Sequence, residues 1–288
     1  MIIHKIEPQG YCGGVTHAIK MAMDAAKNDS ISKPIYMLGQ IIHNSHVISD
    51  LEKLGIITIE EKGLSRLLLL DKINKGTVIF SAHGVSPLVY KKAKEKGLSI
   101  IDATCPYVLL VHNKIKEHLD LGYACIYIGT KNHPECEGVI GISDKIHFVS
   151  TIEDIKSLNI KNDKVYATNQ TTLSIFETKI IFDEIKRIYP NSIIDDKICN
   201  ATTVRQMAME NQPDADLCIV VGDKKSSNTK KLYSVSIERG IKTILIEDLK
   251  SLPKESLIGV KKINISSGAS TPSYIVDEII DYLKSLEN

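Results

Sequence analysis

Short β-branched runs alternate with longer amphipathic stretches along almost the whole chain. The runs lie at 1–6, 34–38, 77–80, 98–101, 124–128, 164–167, 217–221, 242–246 and 262–265. The amphipathic stretches lie near 15–27, 45–54, 88–96, 107–121, 173–189, 203–211, 228–239 and 273–285. Strands separated by helices of about 10–15 residues cannot pair as hairpins and imply parallel βαβ units. The expected fold class is therefore α/β. At 288 residues the chain has length for two domains or three small ones.

Composition removes several alternatives. With 43% hydrophobic and 25% charged residues, the chain is ordinary globular protein and neither disordered, collagenous nor coiled coil. Lys plus Arg is 36 and Asp plus Glu is 35. That balance makes no electrostatic case for nucleic acid or a membrane surface. No stretch approaches the ~18–20 apolar residues of a membrane span. Glu7 and Pro8 interrupt the first apolar run too early for a signal peptide, so a cytoplasmic protein is expected.

The six cysteines carry more. Cytoplasmic thiols are rarely in disulfides, and no Cys-x-x-Cys occurs, so any metal must be gathered from distant segments. Cys12, Cys105 and Cys199 are spaced by 93 and 94 residues, and each stands just before a predicted helix. The spacing predicts three α/β lobes, at 1–98, 99–193 and 194–288, each offering one thiolate at a helix start. Unpaired N–H groups and the macrodipole favour negative charge there. The alternative is chance spacing of small core residues. Cys125 and Cys218 sit inside apolar strands and read as core; Cys136 lies in a polar segment and stays open.

Ligands of open α/β sheets bind beyond the carboxyl ends of the strands. Those ends carry His43 with Asn44, then Ser81, His83 and Ser86, then His133 with Glu135, then Thr171 with Thr172, then Ser226, Ser227 and Asn228, and finally Ser270. Singly, each reads as a helix cap, a turn or a solvated histidine. Together, imidazoles, hydroxyls and amides beside helix starts suit a small phosphorylated ligand. Neither a dinucleotide fingerprint nor a P-loop is present. His133 and Glu135 are too close for a zincin pattern, and Pro134 between them argues against a helix there. Glu135 is the one carboxylate of the set, a candidate proton donor if its pKa is raised. Its alternative is an ion pair with Lys131.

The motifs GYCGGV, IIHN, FSAHGVSP, DATCPYV, NHPECEGVIG, NQTTLS, ICNATTVRQ, SSNTKKL and GAS occur in order over almost the whole chain. In that conjunction the sequence resembles the 4-hydroxy-3-methylbut-2-enyl diphosphate reductases, the LytB/IspH family. Gly13 stands where Ala is common. The resemblance implies a pseudo-threefold trefoil of three similar α/β lobes with small parallel sheets around a central iron–sulfur cluster. Cys12, Cys105 and Cys199 would each bind one iron of a single 4Fe-4S cluster, leaving the fourth iron open. His43, His83, His133, Ser226, Ser227, Asn228 and Ser270 would hold the substrate diphosphate, with Thr171 and Glu135 facing its hydroxyl. The implied reaction is reductive dehydroxylation to isopentenyl and dimethylallyl diphosphate, the last step of the non-mevalonate isoprenoid pathway, with Glu135, assisted through Thr171 and the bound diphosphate, delivering protons, and with His133 beside them in the catalytic set. Electrons would come from a ferredoxin- or flavodoxin-type carrier, with no nucleic-acid or membrane partner. The rivals are a zinc hydrolase or thiol transferase with a Cys–His set, and a non-catalytic phosphometabolite-binding module.

Overall fold

The computed structural model describes residues 1–286. Twelve strands are found among them: β1 (Ile2–Lys5), β2 (Ile35–Leu38), β3 (Ile56–Ile59), β4 (Thr77–Phe80), β5 (Ser99–Asp102), β6 (Ala124–Ile128), β7 (Ile146–Val149), β8 (Val165–Asn169), β9 (Ile193–Asp195), β10 (Leu217–Val221), β11 (Thr243–Ile246) and β12 (Lys262–Ser267). They form three four-stranded sheets, ordered β3-β2-β4-β5, β7-β6-β8-β9 and β1-β12-β10-β11. Every pairing is parallel. The α/β class expected from the alternation is the one observed.

The three sheets share one strand order. Taking the strands of each in turn, the first two swap places, the third follows and the fourth closes the edge. In the third sheet that fourth strand is β1, from the start of the chain. Each fourth strand also leads into a cysteine: β1 to Cys12, β5 to Cys105 and β9 to Cys199. Even cuts at 98 and 193 therefore do not follow the sheets. Ser99–Asp102 belongs with β4, and Ile2–Lys5 with β12. The thiol segments are the crossovers that leave one sheet for the next.

The chain forms two compact units. One comprises Met1–Gly13, His43–Ser45 and the described residues from Cys199; the other comprises Gly14–Ile42 and His46–Ile198. In the first, Leu217, Ile219 and Val221 of β10 pack with Ile275, Ile279 and Leu283 of the helix Ser273–Ser285. Cys218 and Val220 point the opposite way, toward Leu232 and Val235. Period-two alternation with both faces apolar is what a parallel sheet covered by helices on both sides requires. In the second unit β6 divides likewise, Ile126 and Ile128 packing with Ile181 and Ile185, and Cys125 and Tyr127 with Val111 and Ile115. The two sheets of this unit meet where Gly138 approaches Gly84 closely and Glu137 receives both the backbone N–H and the guanidinium of Arg66, at 2.7 and 2.8 Å.

The strands the sequence did not reveal are β3, β7 and β9. All three are edges of three or four residues with only part of each side buried, so neither alternation nor a full apolar run marks them.

Gly76 shows how tightly the β2–β4 edge is built. Its φ is +98°, and an added Cβ would lie 2.2 Å from Pro34 O. Backbone cannot yield as a side-chain tip does. Gly76→Ala is expected to destabilise the fold by about 1–3 kcal/mol, read as a lower urea midpoint with an unchanged slope.

Candidate active site

Every candidate residue lies at a strand-to-helix junction. In the first unit, Cys199 is the N-cap of the helix Asn200–Glu210, and Cys12 immediately precedes the helix Gly13–Lys27. Arg205, one turn and a half into the first of these helices, is 4% exposed. Its Nη2 donates to Gly10 O at 2.6 Å and its Nη1 to Ala201 O at 3.3 Å. Burial lowers its pKa, while the nearby Cys12 and Cys199 act to raise it. A buried cation thus faces two thiols, and the Cys12 N–H is anchored on Ala269 O at 3.0 Å.

The same unit holds five of the predicted ligand-binding residues. Ser226 caps the helix Ser227–Glu238, its Oγ accepting from Thr229 N at 3.3 Å. Ser270 Oγ donates to His43 O at 3.1 Å. Asn228, in the first turn of that helix, is 4% exposed, and neither its Oδ1 nor its Nδ2 has a protein partner. Leaving such a group buried and unpaired costs about 1–3 kcal/mol, so a bound polar ligand is the natural complement. Lys224 and Lys225 in the adjoining loop are exposed.

In the second unit Cys105 is the N-cap of the helix Pro106–Asp120. Its backbone angles, −59° and 134°, match the −60° and 134° of Cys199, and neither side chain caps its helix. A Cβ on Gly14 would lie 2.5 Å from Cys105 Sγ, so glycine leaves the room this sulfur occupies. The other cysteines differ. Cys125, Cys136 and Cys218 are buried. Desolvation pushes the Cys125 thiol up to about 12, the Cys218 thiol up to about 11 and the Cys136 thiol higher still. They are neutral core groups, which settles Cys136.

His83 and His133 meet edge to face, ring centroids 5.5 Å apart. His83 Nδ1 lies 3.3 Å from Ser81 Oγ. Between His133 and Glu135 the structure departs from expectation, because Pro134 starts a helix, Pro134–Ile140. Proline is well suited to the first helical position, where its missing N–H would have no partner anyway. His133 is the N-cap, its Nδ1 accepting from Glu135 N at 3.1 Å. That bond leaves Nδ1 unprotonated, so the neutral ring carries its proton on Nε2.

Glu135 is 1% exposed. Its Oε1 accepts from Thr171 N at 2.8 Å and its Oε2 from Thr171 Oγ1 at 3.0 Å. The Tyr127 hydroxyl donates to Oε1 at 3.4 Å. Burial raises its pKa to about 7, against the opposing pull of the Thr171 and Tyr127 hydrogen bonds. The alternative partner, Lys131, is not among these contacts, and the neighbouring carboxylate that does pair with a cation is Glu137, with Arg66. The sequence reading missed Arg205 and Tyr127. Arg205 stood unremarked inside the ICNATTVRQ segment; Tyr127 looked like an ordinary strand residue.

A family model, LytB protein, matches residues 3–284. The chain belongs to the LytB family. A 4-hydroxy-3-methylbut-2-enyl diphosphate reductase of Bacillus cereus (strain B4264) is 48% identical over 287 residues, spanning 99% of this chain and 90% of the relative. One of Bacillus anthracis (strain CDC 684 / NRRL 3495) is 47% identical over 290 residues, spanning 100% and 91%. The solved E-1-hydroxy-2-methyl-but-2-enyl-4-diphosphate reductase of Plasmodium falciparum superposes with a TM-score of 0.91 at 36% identity, covering 98% of this chain and 87% of that one. A solved (E)-4-hydroxy-3-methyl-but-2-enyl diphosphate reductase, the terminal enzyme of the non-mevalonate pathway, gives 0.68 at 33% identity, covering 99% and 100%. The LytB family is known for an iron–sulfur cluster. The residues fit such a group: thiols at helix starts, a buried guanidinium beside two of them and a glycine cradle beside the third. No helix among the described residues is long and apolar enough to cross a membrane.

The Glu135 pKa sets a pH signature. An unfolded glutamate titrates near 4.5 and the folded one near 7. The folded state therefore holds the extra proton between these values, and stability falls as pH rises through that window. The loss totals roughly 3 kcal/mol. Glu135→Gln removes this titration, so its stability relative to wild type should climb from about pH 4.5 to about pH 7 and then level, measured by urea unfolding.

Proposed function

We propose that this chain reduces (E)-4-hydroxy-3-methylbut-2-enyl diphosphate to isopentenyl and dimethylallyl diphosphate, the last step of the non-mevalonate isoprenoid pathway. The observation that carries the reading is Glu135, a buried carboxyl of pKa about 7, clasped by Thr171 within a LytB chain. The overall change replaces an allylic hydroxyl by hydrogen, consuming two electrons and two protons and releasing water. A single 4Fe-4S cluster on Cys12, Cys105 and Cys199 supplies, when bound, one-electron steps and an open iron as Lewis acid. The electrons come from a ferredoxin- or flavodoxin-type protein. By this reading each of the three lobes, drawn by sheet rather than by the even cuts at 98 and 193, delivers one thiol.

The protein's own residues bind the diphosphate and supply the protons. His43, His83, His133, Ser226, Ser227, Asn228 and Ser270 hold the diphosphate. They are mostly neutral donors at helix starts, where unpaired N–H groups and the dipole already favour an anion. Asn228 is the best supported, since burial without a partner leaves both its amide atoms for the ligand. His133, with Nδ1 occupied by Glu135 N, has Nε2–H as its donor. Glu135 in its neutral form gives its proton to the departing oxygen, with Thr171 Oγ1 beside Oε2 as the neighbouring hydroxyl.

Two variants divide these roles. Glu135→Gln keeps shape and binding but removes the acid, so kcat should fall by about 10²–10⁴-fold with iron content and KM near normal. Asn228→Ala should instead raise KM strongly at unchanged iron content. Near-normal kcat in Glu135→Gln would remove Glu135 from the reaction. A silent Asn228→Ala beside a damaging Lys225→Ala would move the diphosphate site.

A further inference from the structure

Behind Glu135 lies a second hydroxyl that the reaction as described does not use. Tyr127, on β6, is completely buried. Its ring packs with Val111, Ile115, Cys136 and Val139. Its hydroxyl donates to Glu135 Oε1 at 3.4 Å. We propose that Tyr127 is a positioning residue for Glu135, whose phenol joins the Thr171 N–H on Oε1 and thereby leaves the acid proton on Oε2. The proposal rests on the reading of Glu135 as proton donor.

A backbone N–H can only donate, and it lies on Oε1 at 2.8 Å. Burial and the adjacent Glu135 and Cys136 hold the phenol pKa far above its ordinary range, so the phenol keeps its proton and donates too. An oxygen receiving two donors is the carbonyl oxygen of the neutral acid. The proton then belongs on Oε2, whose neighbour is Thr171 Oγ1 at 3.0 Å, a hydroxyl able to accept as well as donate. Without the phenol, one constraint on Oε1 is lost and the carboxylate loses a donor that stabilises its charge.

Burial raises the Glu135 pKa and the Thr171 and Tyr127 hydrogen bonds oppose that rise; the other groups around it are engaged elsewhere or neutral. His133 Nδ1 is engaged by the Glu135 backbone N–H. The Cys136 thiol is directed to Gln170 Oε1 at 3.3 Å, also lies within hydrogen-bond reach of the Tyr127 hydroxyl, and stays neutral, its pKa pushed up by burial and by the adjacent Glu135. Glu137, the next carboxylate on the helix, is paired with Arg66. Of Tyr127, Glu135 and Cys136, only Glu135 changes charge near neutrality.

The test follows the protonated carboxyl stretch of Glu135 by infrared difference spectroscopy from about pH 5 to about pH 9, alongside the pH profile of kcat. The band is assigned as the one missing from Glu135→Gln. Tyr127→Phe removes only the hydroxyl; Tyr127→Met, of similar bulk, is the second variant should the Phe protein fold poorly. Both should move the Glu135 titration up by about one pH unit, and the alkaline limb of kcat should move up with it. A titration unmoved in the folded variants overturns the role of Tyr127. A band that shifts while the kcat limb stays put overturns Glu135 as the proton donor, and with it any part for Tyr127 in turnover.

Discussion

A parallel strand must be followed by a helix that returns the chain, and that one requirement organises this protein. Each return leaves a helix N-terminus beyond the carboxyl end of a strand, with backbone N–H groups that have no partner within the helix. Cys105, Cys199, His133 and Ser226 are N-caps at such points, and Asn228 sits in a first helical turn. Sulfur, imidazole and hydroxyl occupy one structural position because the fold repeats it, and the Asn228 amide lies two residues beyond it. The common strand order of the three sheets carries the repeat further. Every fourth strand, β1 included, leads into a thiol segment.

The same geometry explains a site with little fixed positive charge. Helix starts already offer partial positive potential and donors, so under the proposed function uncharged groups such as Ser226 and Asn228 would meet a diphosphate while Lys224 and Lys225 remain exposed. The full charges are spent elsewhere. Arg205 is buried beside Cys12 and Cys199, burial lowering its pKa while Cys12, Cys199 and Glu7 act to raise it. Glu135 is the reverse case: among the described residues it is buried with hydrogen-bond donors and no cation, and burial raises its pKa to about 7. Sheet, helix start and charge burial are therefore parts of one arrangement.

Much of this was legible in the residues. Alternation of apolar runs gave the parallel class because strands buried on both faces leave continuous apolar segments such as 217–221. The thiol repeat was visible because Cys12, Cys105 and Cys199 precede amphipathic stretches at almost equal intervals. The edge strands β3, β7 and β9 were not, since half-exposed tri- and tetrapeptides carry no periodicity. The helix after His133 was hidden by Pro134, which stops helices in their interior yet starts them well. Tyr127 could not be read at all. In sequence it is one apolar residue of a buried strand, and only the fold turns its hydroxyl toward Glu135.

The proposed function requires that three helix-start thiols, and no core thiol, hold the iron–sulfur cluster. Iron and acid-labile sulfide per chain, measured on anaerobically purified wild type and on the six single Cys→Ser proteins, test it directly. Wild type should carry both elements in equal amounts. Cys12→Ser, Cys105→Ser and Cys199→Ser should lose most of both, while Cys125→Ser, Cys136→Ser and Cys218→Ser keep them if folded. A folded Cys218→Ser protein without iron, or a Cys105→Ser protein with a full complement, would contradict it.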